Sequence, residues 1–73
     1  MTKLGKYLAK RSVNKSEISR KTGISKARMS ELTLNSSTRL TANELYLIAL
    51  AINIEPHEIL QEVCGHLKLE KNT

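Results

Sequence analysis

Apolar residues recur along this chain at helical rather than strand spacing, in blocks separated by short polar breaks. In the first block, Lys3 to about Ser12, Leu4, Tyr7, Leu8 and Arg11 fall on one helical face and Lys3, Lys6 and Lys10 on the other side, as a solvated face. The pattern breaks at Ser12, and Val13 leads to Asn14, whose side-chain oxygen can cap a second helix starting at Lys15. Glu17, three residues on, has the spacing to complete a capping box. Gly23, after Lys21 and Thr22, supplies the left-handed conformation that ends a helix without a Cβ clash. Ser25 then caps a third helix, Ile24 is placed to staple onto Met29, and Ile24, Met29 and Leu32 form its apolar stripe. Lys26, Ala27, Arg28, Ser30 and Glu31 face away from that stripe.

After Thr33 the run LNSSTRL has no period and reads as a loop, with Asn35 expected as a left-handed helix terminator. Thr41 and Glu44 form another capping box, opening a fourth helix that runs to about Ile52. Leu45, Ile48, Ala49 and Ile52 are its core stripe, yet Tyr46, Leu47 and Leu50 are apolar too, and a helix apolar on several sides needs a second surface to bury against. Asn53 ends it. Glu55, as cap, and Pro56, at the first helical position, open a fifth helix with Ile59, Leu60 and Val63 as its apolar face and Gly65 as its stop. The segment 65–73 is a short tail in which Leu67 and Leu69 alternate, either frayed or an extended piece that pairs with a copy of itself.

Charge changes the picture more by its position than by its total. The net charge is +5, but residues 1–33 carry nine Lys or Arg against two Glu, whereas residues 34–73 carry three against five Glu. A solvated lysine-rich surface explains the total alone. A polyanion facing the basic half explains both the total and its coincidence with two short helices joined at Gly23, the shape of a helix-turn-helix. At 73 residues the chain is one domain near the lower limit of unaided folding, and with Cys64 as its one cysteine it forms no internal disulfide. Helical packing, assisted by dimerisation, is expected to supply stability. A single thiol, no signal peptide and no apolar run long enough for a bilayer point to a soluble cytoplasmic protein without membrane attachment. Two Tyr are too few for a stacking platform on single-stranded nucleic acid.

Catalytic and metal chemistry find no footing. His57 and His66 have no ligand-spaced partners beyond the lone Cys64 beside His66, so ordinary surface histidines and a buried thiol are expected, with no metal and no cofactor. No nucleophile, base and orienting group assemble from the Ser-rich segments, and no glycine loop cradles a phosphate, so an enzyme is not expected.

The cap and acidic pair Asn14 and Glu17, small Ser19, the Gly23 to Ser25 turn, apolar Met29 and Leu32, and the Ala51 to Leu60 run AINIEPHEIL occur in one order and spacing. On these the sequence resembles the phage-repressor-like (Xre, Cro/CI-type) helix-turn-helix family over roughly residues 3–64. The resemblance implies an all-α, compact five-helix lambda-repressor-like DNA-binding domain over residues 1–64, with 65–73 as a tail that extends the dimer interface. It implies a sequence-specific double-stranded DNA-binding transcriptional regulator, a repressor acting as a homodimer. In such proteins the second motif helix enters the major groove with its N-terminal residues at base edges. Carried over, Lys26, Ala27 and Glu31 are base-directed, Arg28 and Ser30 reach bases or phosphate, and Asn14, Lys15 and Ser25 are phosphate contacts. Arg39 either clamps a phosphate or is simply solvated. Thr33 stands where an acidic residue is common and Asn35 where Gly is. Leu47 and Leu50 replace charges usual on the fourth helix, which implies a dimer interface of Leu47, Leu50, Ile59, Leu60 and Val63. The alternative is a protein-interaction module, such as the antitoxin of a toxin pair, with those leucines on a different protein partner.

Overall fold

The computed structural model describes residues 1–70. Among them the chain forms five α-helices and no strand: α1 (Lys3–Lys10), α2 (Lys15–Thr22), α3 (Lys26–Leu34), α4 (Ala42–Ala51) and α5 (Pro56–Cys64). The first four start on side-chain caps. Thr2 accepts from the Gly5 N–H, Asn14 from the Ser16 and Glu17 N–H groups, Ser25 from the Arg28 N–H, and Thr41 from the Glu44 N–H. Only α4 has the reciprocal bond of a capping box, Thr41 N–H to Glu44. The box expected at Asn14 does not close, because the Glu17 carboxylate pairs with Arg20 one turn on, at 2.6 Å. Glu55 stands at the α5 cap position without a capping bond; Pro56 in the first turn has no N–H to satisfy.

Two helix ends share a device. Past α1, Ser12 takes φ 55° and the N–H groups of Ser12 and Val13 turn back to the carbonyls of Ala9 and Leu8. Past α4, Asn53 takes φ 59° and Asn53 and Ile54 bond in the same way to Leu50 and Ala49. Both are Schellman closures, and the first ends α1 at Lys10, two residues before the expected Ser12. Gly23, at φ 82°, ends α2 as its sequence position predicts. Asn35 does not become left-handed: it is extended at φ −103°, and its side-chain oxygen instead accepts from the Ser37 N–H and hydroxyl to shape the loop.

The core draws on every helix. Leu4, Tyr7 and Leu8 of α1, Ile18 of α2, Met29 and Leu32 of α3, Leu45, Ile48 and Ala49 of α4, and Ile59 of α5 are buried together. Each large side chain removed from water stabilises the fold by roughly 1.5–3 kcal/mol. Helix α3 packs on α1 and α2, while α4 packs on α2 and α5, and α5 returns to α1. No helix of the described residues is long and apolar enough to cross a membrane.

Polar ties lock α1 at both ends. At its start, the Thr2 N–H and hydroxyl donate to the carbonyls of Thr33 and Leu32, satisfying the free C-terminal carbonyls of α3. At its end, the Tyr7 hydroxyl donates to Glu58 of α5 at 2.7 Å and accepts from Arg11 Nε at 3.0 Å, while Arg11 Nη2 lies 3.1 Å from the same Glu58 oxygen. Burial and then the Glu58 bond push the Tyr7 phenol above its ordinary pKa, so it stays a donor.

Ile59 corrects the expected dimer surface. It is fully buried in the monomer core at 0 % exposure, since α5 turns this side of its stripe onto α1 and α4. Leu60 and Val63 line an open groove of about 750 Å³ with Leu4, Leu32, Leu40 and Leu45, a groove that Leu47 and Leu50 do not line. After α5, residues 67–70 have no regular structure and Leu67 and Leu69 are exposed. The expectation for the rest of the tail, residues 71–73, lies outside the described residues.

Candidate nucleic-acid interface

The candidate site is the outer face of α3. Met29, Leu32 and Thr33 turn inward and are buried. At about 100° per residue, Lys26, Ala27, Ser30, Glu31 and Leu34 then share the opposite face, and all five are exposed. Among the described residues, the side chains of Lys26 and Ser30 have no hydrogen-bond or ion-pair partner. Lys offers donors to guanine O6 and N7, Glu accepts from cytosine N4, Ala matches a thymine methyl, and Ser serves either role. Leu34, 55 % exposed, is expected from the sequence to open the loop after Thr33 but is the last residue of α3; its i+4 spacing from Ser30 is the signal that places it on this face.

Both helix caps keep a donor for an anion. The Asn14 oxygen is spent on the Ser16 and Glu17 N–H groups, which leaves its NH₂ directed elsewhere. The Ser25 oxygen accepts from the Arg28 N–H and retains its own O–H. Lys15, in the first turn of α2, donates to the Thr33 hydroxyl at 3.3 Å, and that hydroxyl in turn donates to the Met29 carbonyl at 2.9 Å. An ammonium has three donors, so Lys15 retains capacity for a phosphate. Arg39 is exposed in the α3–α4 loop.

Arg28 is placed differently from the other expected base readers. Its Nε donates to Glu44 Oε2 at 2.7 Å, and its Nη2 donates to Glu44 Oε1 at 3.1 Å and to the Arg39 carbonyl at 2.7 Å. Hydrogen bonding from Arg28, then from Thr41, holds the Glu44 carboxyl well below the usual carboxylate range, at about 2, against the opposing cost of its partial burial. The guanidinium is thus engaged inside the protein, on the flank of α3 beside α4. A signal for this existed in the sequence, since Arg28 precedes the buried Leu32 by four residues and so leaves the helix beside the core stripe.

Elsewhere the surface is less specific. A shallow concavity of about 880 Å³ lies on α5, lined by Glu55, His57, Glu58, Gln61, Glu62 and Gly65. Among the described residues no three His, Cys, Asp or Glu side chains gather to hold a metal ion. On α4, Tyr46, Leu47 and Leu50 are exposed at 54, 39 and 55 %.

Residues 3–64 match the family model of the Cro/C1-type HTH DNA-binding domain, and the chain belongs to that family. No curated protein and no solved structure matches it.

Proposed function

We propose that this member of the Cro/C1-type DNA-binding family is a sequence-specific transcriptional regulator that reads double-stranded DNA through α3 and represses by occupying a promoter. The observation that carries the reading is the outward face of α3, where Lys26, Ala27, Ser30 and Glu31 stand exposed on a helix whose other side is anchored by Met29, Leu32 and Thr33. Asn14, Lys15, Ser25 and Arg39 supply phosphate contacts around it, and the concentration of positive charge in residues 1–33 supplies long-range attraction. Lys26 and Glu31 are the principal discriminators. The protein acts as a homodimer on two half-sites, through the exposed Tyr46, Leu47 and Leu50 face of α4.

Selection of bound duplexes from a random pool tests this, with the winner titrated at two salt concentrations beside the Lys26→Ala, Glu31→Ala double variant. A palindromic winner is expected, with discrimination between winner and scrambled duplex lost in the variant. Enrichment of no sequence, with only weak and salt-sensitive binding, overturns the reading.

A further inference from the structure

The three hydrogen bonds of Arg28 tie α3, the loop that follows it and α4 to one side chain. The guanidinium starts on α3, grips the carboxylate of Glu44 in the first turn of α4, and holds the main-chain carbonyl of Arg39 in the loop between them. Glu44 Oε1 also accepts from the Thr41 N–H at 3.0 Å and the Thr41 hydroxyl at 3.1 Å, so one carboxylate closes the α4 cap and anchors α3 together. The pair is partly sheltered, with side-chain exposures of 33 % for Arg28 and 17 % for Glu44. A fork-to-fork pair of this kind is stronger and more directional than an ordinary ion pair.

To read guanine, Arg28 would exchange these three charge-assisted bonds for two to O6 and N7, and would leave the largely buried Glu44 carboxylate with its Thr41 bonds and no cation. The exchange is unfavourable in bond count and in charge. Meanwhile Arg39, whose backbone Arg28 holds, is exposed, and its own guanidinium has no partner among the described residues.

We propose that Arg28 is a positioning residue: it fixes the α3–α4 loop against α3 so that the Arg39 side chain meets a phosphate beside the helix, and it reads no base itself. Base recognition then falls to Lys26, Ala27, Ser30 and Glu31. This rests on the DNA-binding reading above. It adds that a residue in the first turn of α3 acts on affinity through the loop.

The test uses the full chain and the duplex that the wild-type protein enriches from a random pool, with Arg28→Met, Glu44→Gln, Arg39→Ala and the Arg28→Met, Arg39→Ala double variant. Arg28→Met is expected to enrich the same sequence as wild type, to bind it about 5- to 10-fold more weakly, and to lower the salt slope by about one, as Arg39→Ala does. The double variant binds no more weakly than Arg39→Ala alone, because the two substitutions remove one contact. Glu44→Gln weakens binding with the preferred sequence unchanged, whereas a base-reading Arg28 freed from its carboxylate would hold or tighten it. Relaxed preference at one base position in Arg28→Met, additive losses in the double variant, or tighter binding by Glu44→Gln each overturns the proposal. Circular dichroism checks folding; if Arg28→Met does not fold, Glu44→Gln alone and combined with Arg39→Ala carries the same comparison. Absence of specific binding by the wild-type chain removes the DNA-binding reading and this proposal together; wild-type binding with the wrong variant pattern removes this proposal only.

Discussion

Gly5 packs its backbone directly against Thr33, and a β-carbon at position 5 would overlap the Thr33 carbonyl. That carbonyl already accepts the Thr2 N–H at 2.9 Å, so the start of α1 and the end of α3 are held at backbone distance. Gly5→Ala therefore has to push α1 away from α3, at a cost of about 1–3 kcal/mol, typical of overpacking. Urea denaturation is expected to give a lower midpoint with an unchanged slope. Wild-type stability in Gly5→Ala would mean that the two helices do not approach this closely in solution.

Ser12 carries the left-handed end of α1 with a residue poorly suited to it, while Asn53 does the same job after α4 with a better one. Ser12→Gly should therefore stabilise the domain by about 0.5–1 kcal/mol, despite the greater freedom of glycine in the unfolded chain, and raise Tm by a few degrees. Asn53→Gly should gain less. Calorimetry that ranks the two the other way round would reject the account of these helix ends.

What could be read from the sequence follows from the range of each interaction. Caps such as Asn14, Ser25 and Thr41 bond to amides two or three residues away, so the helix starts were legible. Glu17 had two partners within one turn, the Asn14 N–H and Arg20, and residue type alone does not decide between them. Ile59 and Leu60 are adjacent and equally apolar, so which one faces the core depends on how α5 docks; Ile59 is buried and Leu60 is 46 % exposed. The role of Arg28 depends on Glu44, sixteen residues away across an irregular loop, and only the path of that loop brings the two together.

The Arg28 and Glu44 pair also sets an acid limb. The folded carboxyl titrates near 2 against 4.5 for an unperturbed one, so the native state binds fewer protons over this interval. The stabilisation is fully present above about pH 5 and is lost as pH falls through the folded value. Allowing for the partial exposure of Arg28, it is about 2 kcal/mol. Stability measured from pH 6 down to pH 2 should fall more steeply in wild type than in Glu44→Gln, the difference between the proteins shrinking toward the acid end. Parallel curves would show that the carboxylate gains nothing from folding.

The face formed by Tyr46, Leu47 and Leu50 is where the proposed homodimer is tested. Leu50 follows Tyr46 by four residues and Leu47 by three, so the three lie together on one side of α4, opposite the buried Ile48 and Ala49. Exposed leucines add little to monomer stability, and Leu47→Asp, Leu50→Asp should leave the unfolding free energy within about 0.5 kcal/mol per site. In a homodimer the same change would place like charges across a two-fold axis and remove apolar burial worth roughly 1.5–3 kcal/mol for each leucine fully covered. Sedimentation equilibrium is expected to show a wild-type dimer and a monomeric variant of unchanged fold. On DNA, the variant should bind a single half-site as wild type does and lose its advantage on the paired site. A wild-type chain that stays monomeric at micromolar concentration and on the paired site would remove the homodimer, and would leave this apolar face to a different protein.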